Sequence, residues 1–220
     1  IEGREQRAEA RSVAALLAPA AVAVIAGEGE VGDPARAAFA QLVAHDFAGP
    51  IFRVGPARAW DGPAQGAIED VPEAVDLAVV AVAAEDLPAT LTACGAKGVR
   101  GAVLLTPATE APADLVALAR RSGMRVIGPG ALGAVNTASD IRLHASPAAV
   151  TVEAGPIGFL SQSGSLATAL LQRAAVFGLG HGVADSAKKP TDPQAQVEII
   201  VNHENQWPVA GHIRQWATPL

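Results

Sequence analysis

Two small-residue turns carry the residues of this chain best suited to chemistry. The first reads Gly27-Glu28-Gly29-Glu30-Val31-Gly32 and follows the wholly apolar run AVAVIAG. Gly27, Gly29 and Gly32 satisfy the G-x-G-x-x-G template between a strand and a helix, where bare backbone lets N–H groups approach a phosphate closely. Glu28 and Glu30 put negative charge beside that anion, and a carboxylate close to phosphate repels it unless it points to solvent. The competing reading is a tight turn that binds nothing. The second turn lies in GFLSQSGSLATALL, where Ser161, Ser163, Gly164 and Ser165 lead into a helix. Unpaired N–H groups at the positive end of a helix dipole form an anion site without any basic side chain. A nucleophile elbow would need G-x-S-x-G, but Phe159 stands two residues before Ser161 and Ser161 two before Ser163, which sets hydrolase chemistry aside. Here the competing reading is a plain serine helix cap.

Other candidates are sparser. The segment IFRVGPARAW presents Arg53 and Arg58 and no carboxylate before Asp61. An NAD site places an acid there to hold the ribose hydroxyls. Its absence suits a ligand with an extra ribose phosphate, NADP or coenzyme A. The alternative is that both arginines are ordinary solvated surface. Trp60 is either a platform for an adenine or packing. His45, His144, His181, His203 and His212 show no paired metal-ligand spacing, so no metal is expected within the chain. Cys94, the single cysteine, sits in a run of small apolar residues and reads as buried packing; alone, it excludes an internal disulfide. No residue is assigned a catalytic role.

The elements that must position these turns follow from periodicity. Glu2 to Leu17 is charged with recurrent Ala, Val and Leu and ends before Pro19, as a surface or linker helix does. AVAVIAG reads as a strand covered on both faces, and DPARAAFAQLVAHD as a helix with Asp33 placed to cap it and Pro34 at its first position. IFRV, DLAVVAVAA, GAVLLTPA and RVIGPG are strand-like, with EDLPATLTACGAKG and APADLVALARRSG helical between them. Strands alternating with helices of this length predict right-handed crossovers and an α/β doubly wound parallel sheet. An extended, turn-rich passage, GAVNTASDIRLHASPAAVTVEAGP, leads to IGFL and a helix from Ser165 to Gly178, the first βα unit of another domain. The expected organisation is a linker helix over 1–18, a Rossmann-like domain over 19–147, the start of a second, flavodoxin-like α/β domain over 148–183, and an unassigned tail over 184–220. Within that tail VEIIV reads as one strand.

Bulk properties narrow the classes. The 220 residues are half hydrophobic, with a net charge of -6 and a pI near 5.3, which gives no blanket attraction to nucleic acid. No apolar run approaches the roughly 18 to 20 residues that a membrane-spanning helix needs. No secretory signal is visible, so the cytoplasm is expected. The opening IEGR reads either as a protease-site scar or as the start of a native helix.

Taken together, these stretches resemble the NDP-forming acyl-CoA synthetases (acetate–CoA ligases, ADP-forming), relatives of the succinyl-CoA synthetase α subunit. The likeness covers Ser12 to Gly182 through SVAALLAPAAVAVIAG, VGDPARAAFAQLVAHDFAGPIFRVGPARA, VDLAVVAVAAEDLPATLTACGAKGVRGAVLLTPA, GMRVIGPGALGAVNT and GPIGFLSQSGSLATALL. It implies coenzyme A lying on Gly27, Gly29 and Gly32 with Arg58 as the basic group. It also implies that Gly128, Pro129 and Gly130 close the pocket beside the thiol, and that Ser163, Gly164 and Ser165 face a phosphate carried by a histidine. The implied partners are an ATP-grasp domain or subunit, an acetyltransferase domain joined through a helix like REQRAEARS, an acyl-CoA, and a second copy in a homo-oligomer. Three features depart from the family pattern. Glu28 and Glu30 replace serine and basic or neutral residues, Gly128-Pro129-Gly130-Ala131 replaces Gly-Pro-Asn-Cys/Ser, and the Ser-His-Thr-Gly-like signature of the phosphorylated histidine is absent. The expectation is therefore a CoA-binding module, either a fragment or degenerate, and not catalytic alone. The alternatives are an NADP-binding Rossmann redox or sensor protein, and a structural remnant without ligand.

Overall fold

The computed structural model describes residues 13, 16–107, 112, 114–152, 154, 159–161, 164–177 and 198–201. Strand β1, Val22–Ala26, is buried at every residue, as are β3, Leu77–Ala81, and β4, Gly101–Leu104. β2, Ile51–Val54, and β5, Arg125–Ile127, are partly exposed and form the edges. All five run parallel in the order β2-β1-β3-β4-β5, with Val24 in register with Arg53 on one side and Val79 on the other. The doubly wound parallel sheet read from the alternation is the observed one.

Side-chain alternation divides the core in two. Val22, Val24 and Ala26 join Leu77, Val79 and Leu42 on one face, while Ala23 and Ile25 join Ala78, Val80 and Leu91 on the other. Helix α1, Asp33–Ala44, covers the first face. Helices α2, Leu87–Lys97, and α3, Leu115–Arg121, cover the second. Each fully buried leucine contributes about 1.5 to 3 kcal/mol of transfer free energy, which is why both faces must be roofed. Helix α2 stops at Gly98, whose left-handed backbone (φ +88) lets its N–H bond back to the last turn.

Three local expectations change. DLAVVAVAA holds its strand only through Ala81, because a 3-10 turn at Ala84–Asp86 already leads into α2. GAVLLTPA is strand only through Leu104. Asp33 does not cap α1: a 3-10 turn at Gly29–Gly32 continues into the helix, Gly32 takes the cap position without a side-chain bond, and Asp33 becomes the first helical residue with its carboxylate on Arg36.

The turn-rich passage contains two strands, β6, Gly133–Asn136, and β7, Leu143–Ala145. With β8, Phe159–Ser161, and β9, Glu198–Val201, they form a mixed sheet in the order β7-β6-β9-β8. β6 is antiparallel to β7 and β9, and β8 is parallel to β9. Helix α4, Gly164–Phe177, follows β8. β7 lies against α1, where the rings of His45 and His144 stack at 4.3 Å. Buried Asn136 ties the passage to the N-terminal segment, donating from Nδ2 to the carbonyl of Leu17 at 2.8 Å and accepting from the Ala138 N–H.

Candidate functional site

A parallel sheet ordered β2-β1-β3 reverses at β1, because one crossover leaves on each side. Beyond the carboxyl ends of β1 and β3 the connections diverge, and the sheet cannot fill the space itself. A cleft of about 550 Å3 lies there. Ile25, Val54, Ile68, Val82 and Ala93 give it an apolar floor, and Gly27, Gly55 and Gly66 bring bare backbone to it. Glu28, Glu69 and Asp86 are the charged residues among its described lining, and all three are exposed.

The turn after β1 is held tightly. The Gly27 N–H donates to the carbonyl of Ala81 at 2.8 Å, fixing the turn to the neighbouring strand. Gly29 has φ +62, and a Cβ built there meets nothing within 4 Å among the described residues, so that side of the turn is open with respect to them. Gly32 is the reverse case, since a Cβ there would stand 2.1 Å from the Gly27 carbonyl oxygen. No side chain caps the first turn of α1.

The other predicted residues fall in two places. Arg58 lies in the 3-10 turn Ala57–Ala59 after β2, exposed and without a hydrogen bond or ion pair among the described residues. Arg53 is engaged: its Nη1 donates to the Asp61 carbonyl at 2.9 Å and its guanidinium stands 5.3 Å from the Phe39 ring centre. The segment Gly128-Pro129-Gly130 sits beyond β4 and is not part of the cleft lining; the Gly130 N–H donates to the Thr106 carbonyl at 2.7 Å. Gly164, at the start of α4, lies near Leu132, two residues past that segment, for a Cβ on it would stand 3.9 Å from the Leu132 Cβ. Ser165 is exposed and makes a polar contact, and Ser163 lies outside the described residues.

Trp60 resolves to packing. It is 8% exposed, donates from Nε1 to the Val54 carbonyl at 3.0 Å and meets Phe39 edge-on. Cys94 is fully buried, and burial together with the charge of Glu69 pushes its thiol up to about 12, which leaves it inert. His144 is 1% exposed, and burial and the neighbouring His45 hold its pKa below the ordinary value. Its Nε2 lies 3.1 Å from the Val150 carbonyl; a carbonyl only accepts, so Nε2 carries the proton. Nδ1 is then a buried acceptor with no partner among the described residues. Sequence reasoning missed Arg36, whose guanidinium donates to the carbonyls of Ala59 and Gly29 and to Asp33. Its only sequence signal was the spacing from Asp33, which reads as a surface ion pair.

Among the described residues, no group of three or more His, Cys, Asp and Glu is arranged to hold a metal ion, and no helix is long and apolar enough to cross a membrane.

Comparison with known proteins bears on this geometry. The acetate–CoA ligase (ADP-forming) I of Archaeoglobus fulgidus is 32% identical over 75% of this chain, which covers 25% of that ligase. The α subunit of acetate–CoA ligase (ADP-forming) I from Pyrococcus furiosus is 29% identical over 88% of this chain and 45% of the subunit. A dinucleotide forming acetyl-coenzyme A synthetase 1 from Ca. Korarchaeum cryptofilum, solved with phosphate and ADP, superposes with a TM-score of 0.69 at 25% identity, covering 86% of this chain and 39% of that one. The chain thus spans between a quarter and less than half the length of these relatives. The model of the CoA binding domain matches residues 20–137, over half of the chain, and the protein belongs to that family.

Proposed function

We propose that this chain is the coenzyme A-binding module of an NDP-forming acyl-CoA synthetase. The observation that carries the reading is the cleft at the strand-order reversal, with the open side of the Gly27–Gly32 turn beside it. An apolar floor suits a purine or an aliphatic arm, and a turn whose Gly29 faces open space suits phosphate oxygens. Coenzyme A has both parts, and its thiol is the group that accepts the acyl unit. The backbone amides of Gly29 and Gly32 hold phosphate on a turn that Gly27, its own N–H spent on the Ala81 carbonyl, anchors to β3, and Arg58, exposed and uncommitted, gives an ionic hold on the ribose phosphate. Gly128, Pro129 and Gly130 lie beside the thiol end. The start of α4, with Ser163, Gly164 and Ser165, faces a phosphorylated histidine supplied by another segment or subunit.

In the complete synthetase, acyl-CoA, phosphate and nucleoside diphosphate exchange for acid, CoA and nucleoside triphosphate. An ATP-grasp domain or subunit supplies the nucleotide site, and the assembly works in the cytoplasm. Support for such a partner comes from the chain's covering 45% of a relative named as an α subunit.

Isothermal titration of the chain with CoA and with NADPH tests the reading. CoA is expected to release binding heat, and at about 100 times its dissociation constant to raise stability by about 2.7 kcal/mol. Millimolar CoA giving no heat while NADPH binds would overturn it in favour of a dinucleotide-binding protein.

A further inference from the structure

Arg36 is placed as no ordinary helix-surface arginine is. A surface ion pair engages its acidic partner and little else. Arg36 pairs with Asp33 and also reaches two separate turns. Its Nη1 donates to the Ala59 carbonyl at 3.1 Å, in the turn after β2, and its Nη2 to the Gly29 carbonyl, in the turn after β1. The path between them is open only because Gly32 has no side chain: a Cβ there would stand 2.8 Å from Arg36 Nη1. Both acceptors sit where orientation matters. Because the peptide unit is planar, a fixed Gly29 carbonyl also fixes the N–H of Glu30 on the exposed side of the glycine turn. The Ala59 carbonyl belongs to the residue after Arg58, in a turn closed by the Ala59 N–H on Pro56 at 2.8 Å.

We infer that Arg36 is a positioning residue that locks the turns after β1 and β2 into one body, and thereby sets how Arg58 discriminates a ligand's ribose phosphate. This rests on the proposed CoA site for its ligand and on the hydrogen bonds alone for the lock. A planar guanidinium can serve two carbonyls and a carboxylate together, which a lysine ammonium at the end of a flexible stem does poorly. Lysine is therefore expected to restore only part of the effect.

The test uses the full chain with Arg36→Met, Arg36→Lys, Arg58→Ala and the Arg36→Met/Arg58→Ala double variant, titrated with CoA and with 3′-dephospho-CoA. The wild type is expected to prefer CoA by about tenfold, the scale of one charge-assisted contact to phosphate. Arg58→Ala and Arg36→Met should each bring that ratio close to one, Arg36→Lys should fall between, and the double variant should lose no more than either single change. A wild-type ratio in Arg36→Met overturns the inference, as does an Arg58→Ala variant that keeps the preference when Arg36→Met has lost it. Hydrogen exchange on the ligand-free chain reads the lock separately. In Arg36→Met, and more weakly in Arg36→Lys, residues 29–32 and 57–60 should lose protection together while β3 and β4 keep theirs. Either turn retaining wild-type protection overturns the lock. A wild type that binds neither ligand defeats the CoA reading and the role given to Arg58, and the exchange result then decides the lock by itself.

Discussion

Two turns in this molecule hand a strand to a helix through small residues, and they owe those residues to different causes. After β1, the fold itself demands glycine at position 32, because a methyl group there would collide with the Gly27 carbonyl and block the path of Arg36. After β8, nothing comparable surrounds Gly164 among the described residues. A Cβ there would make ordinary contact with Leu132 at 3.9 Å, and where the backbone conformation permits it a glycine costs about 0.4 to 1 kcal/mol relative to alanine through the freedom it gives the unfolded chain. The first turn is a piece of architecture with open space beside Gly29; at the second, the described packing does not account for the glycine. A small residue speaks for a ligand most strongly where the surrounding protein has no use for it.

That contrast can be broken outright. Gly32→Ala should lower the unfolding free energy by about 3 kcal/mol in a denaturant titration, the scale of forced overpacking against backbone. A loss below about 1 kcal/mol would mean that the turn relaxes freely and is no more architectural than its counterpart. A second, smaller effect probes the seam between the regions, where His45, just past the end of α1, stacks on His144 of β7. Because the folded state holds His144 below its ordinary pKa, the unfolded chain takes up the proton first as pH falls. This contribution to stability is complete above the ordinary value of about 6.5 and is lost below it, with a slope approaching about 1.4 kcal/mol per pH unit. His144→Leu should remove that part of the slope in unfolding curves taken from pH 8 to pH 5; an unchanged slope refutes the assignment. Smaller again, Gly164→Ala should raise stability by about 0.5 to 1 kcal/mol, seen as a higher melting temperature. Destabilisation instead would show that the second turn is as structurally constrained as the first. The smallest effect concerns charge alone. Glu28→Gln should leave stability unchanged and tighten CoA binding by a factor of about two to three at low ionic strength, fading at high salt. Equal affinity in both proteins at low salt would place the Glu28 carboxylate too far from the ligand to matter.

The central sheet was legible because buried parallel strands and their covering helices leave opposite periodicities in the sequence, and VAVIA and LAVVA sit in it as read. The first glycine turn was legible for the same reason, being fixed by the end of a strand and the start of a helix. β6 and β7 were not, since each is only three or four residues long in a turn-rich passage and β6 pairs with β9, more than sixty residues further on. A strand that depends on a partner distant in the sequence announces little locally. Trp60 could be read two ways until Phe39 and the Val54 carbonyl were seen around it. Arg36 was hidden more thoroughly: a charged residue on the first turn of a helix looks solvated, and its acceptors are main-chain oxygens, which no residue type reveals.

The amide of Asn136 reaches back to the carbonyl of Leu17, and Leu16 and Leu17 are sunk into the core of the parallel sheet. A displacement of Leu17 would therefore be felt at Asn136, the last residue of β6, so the segment before β1 and the second sheet share one polar tether.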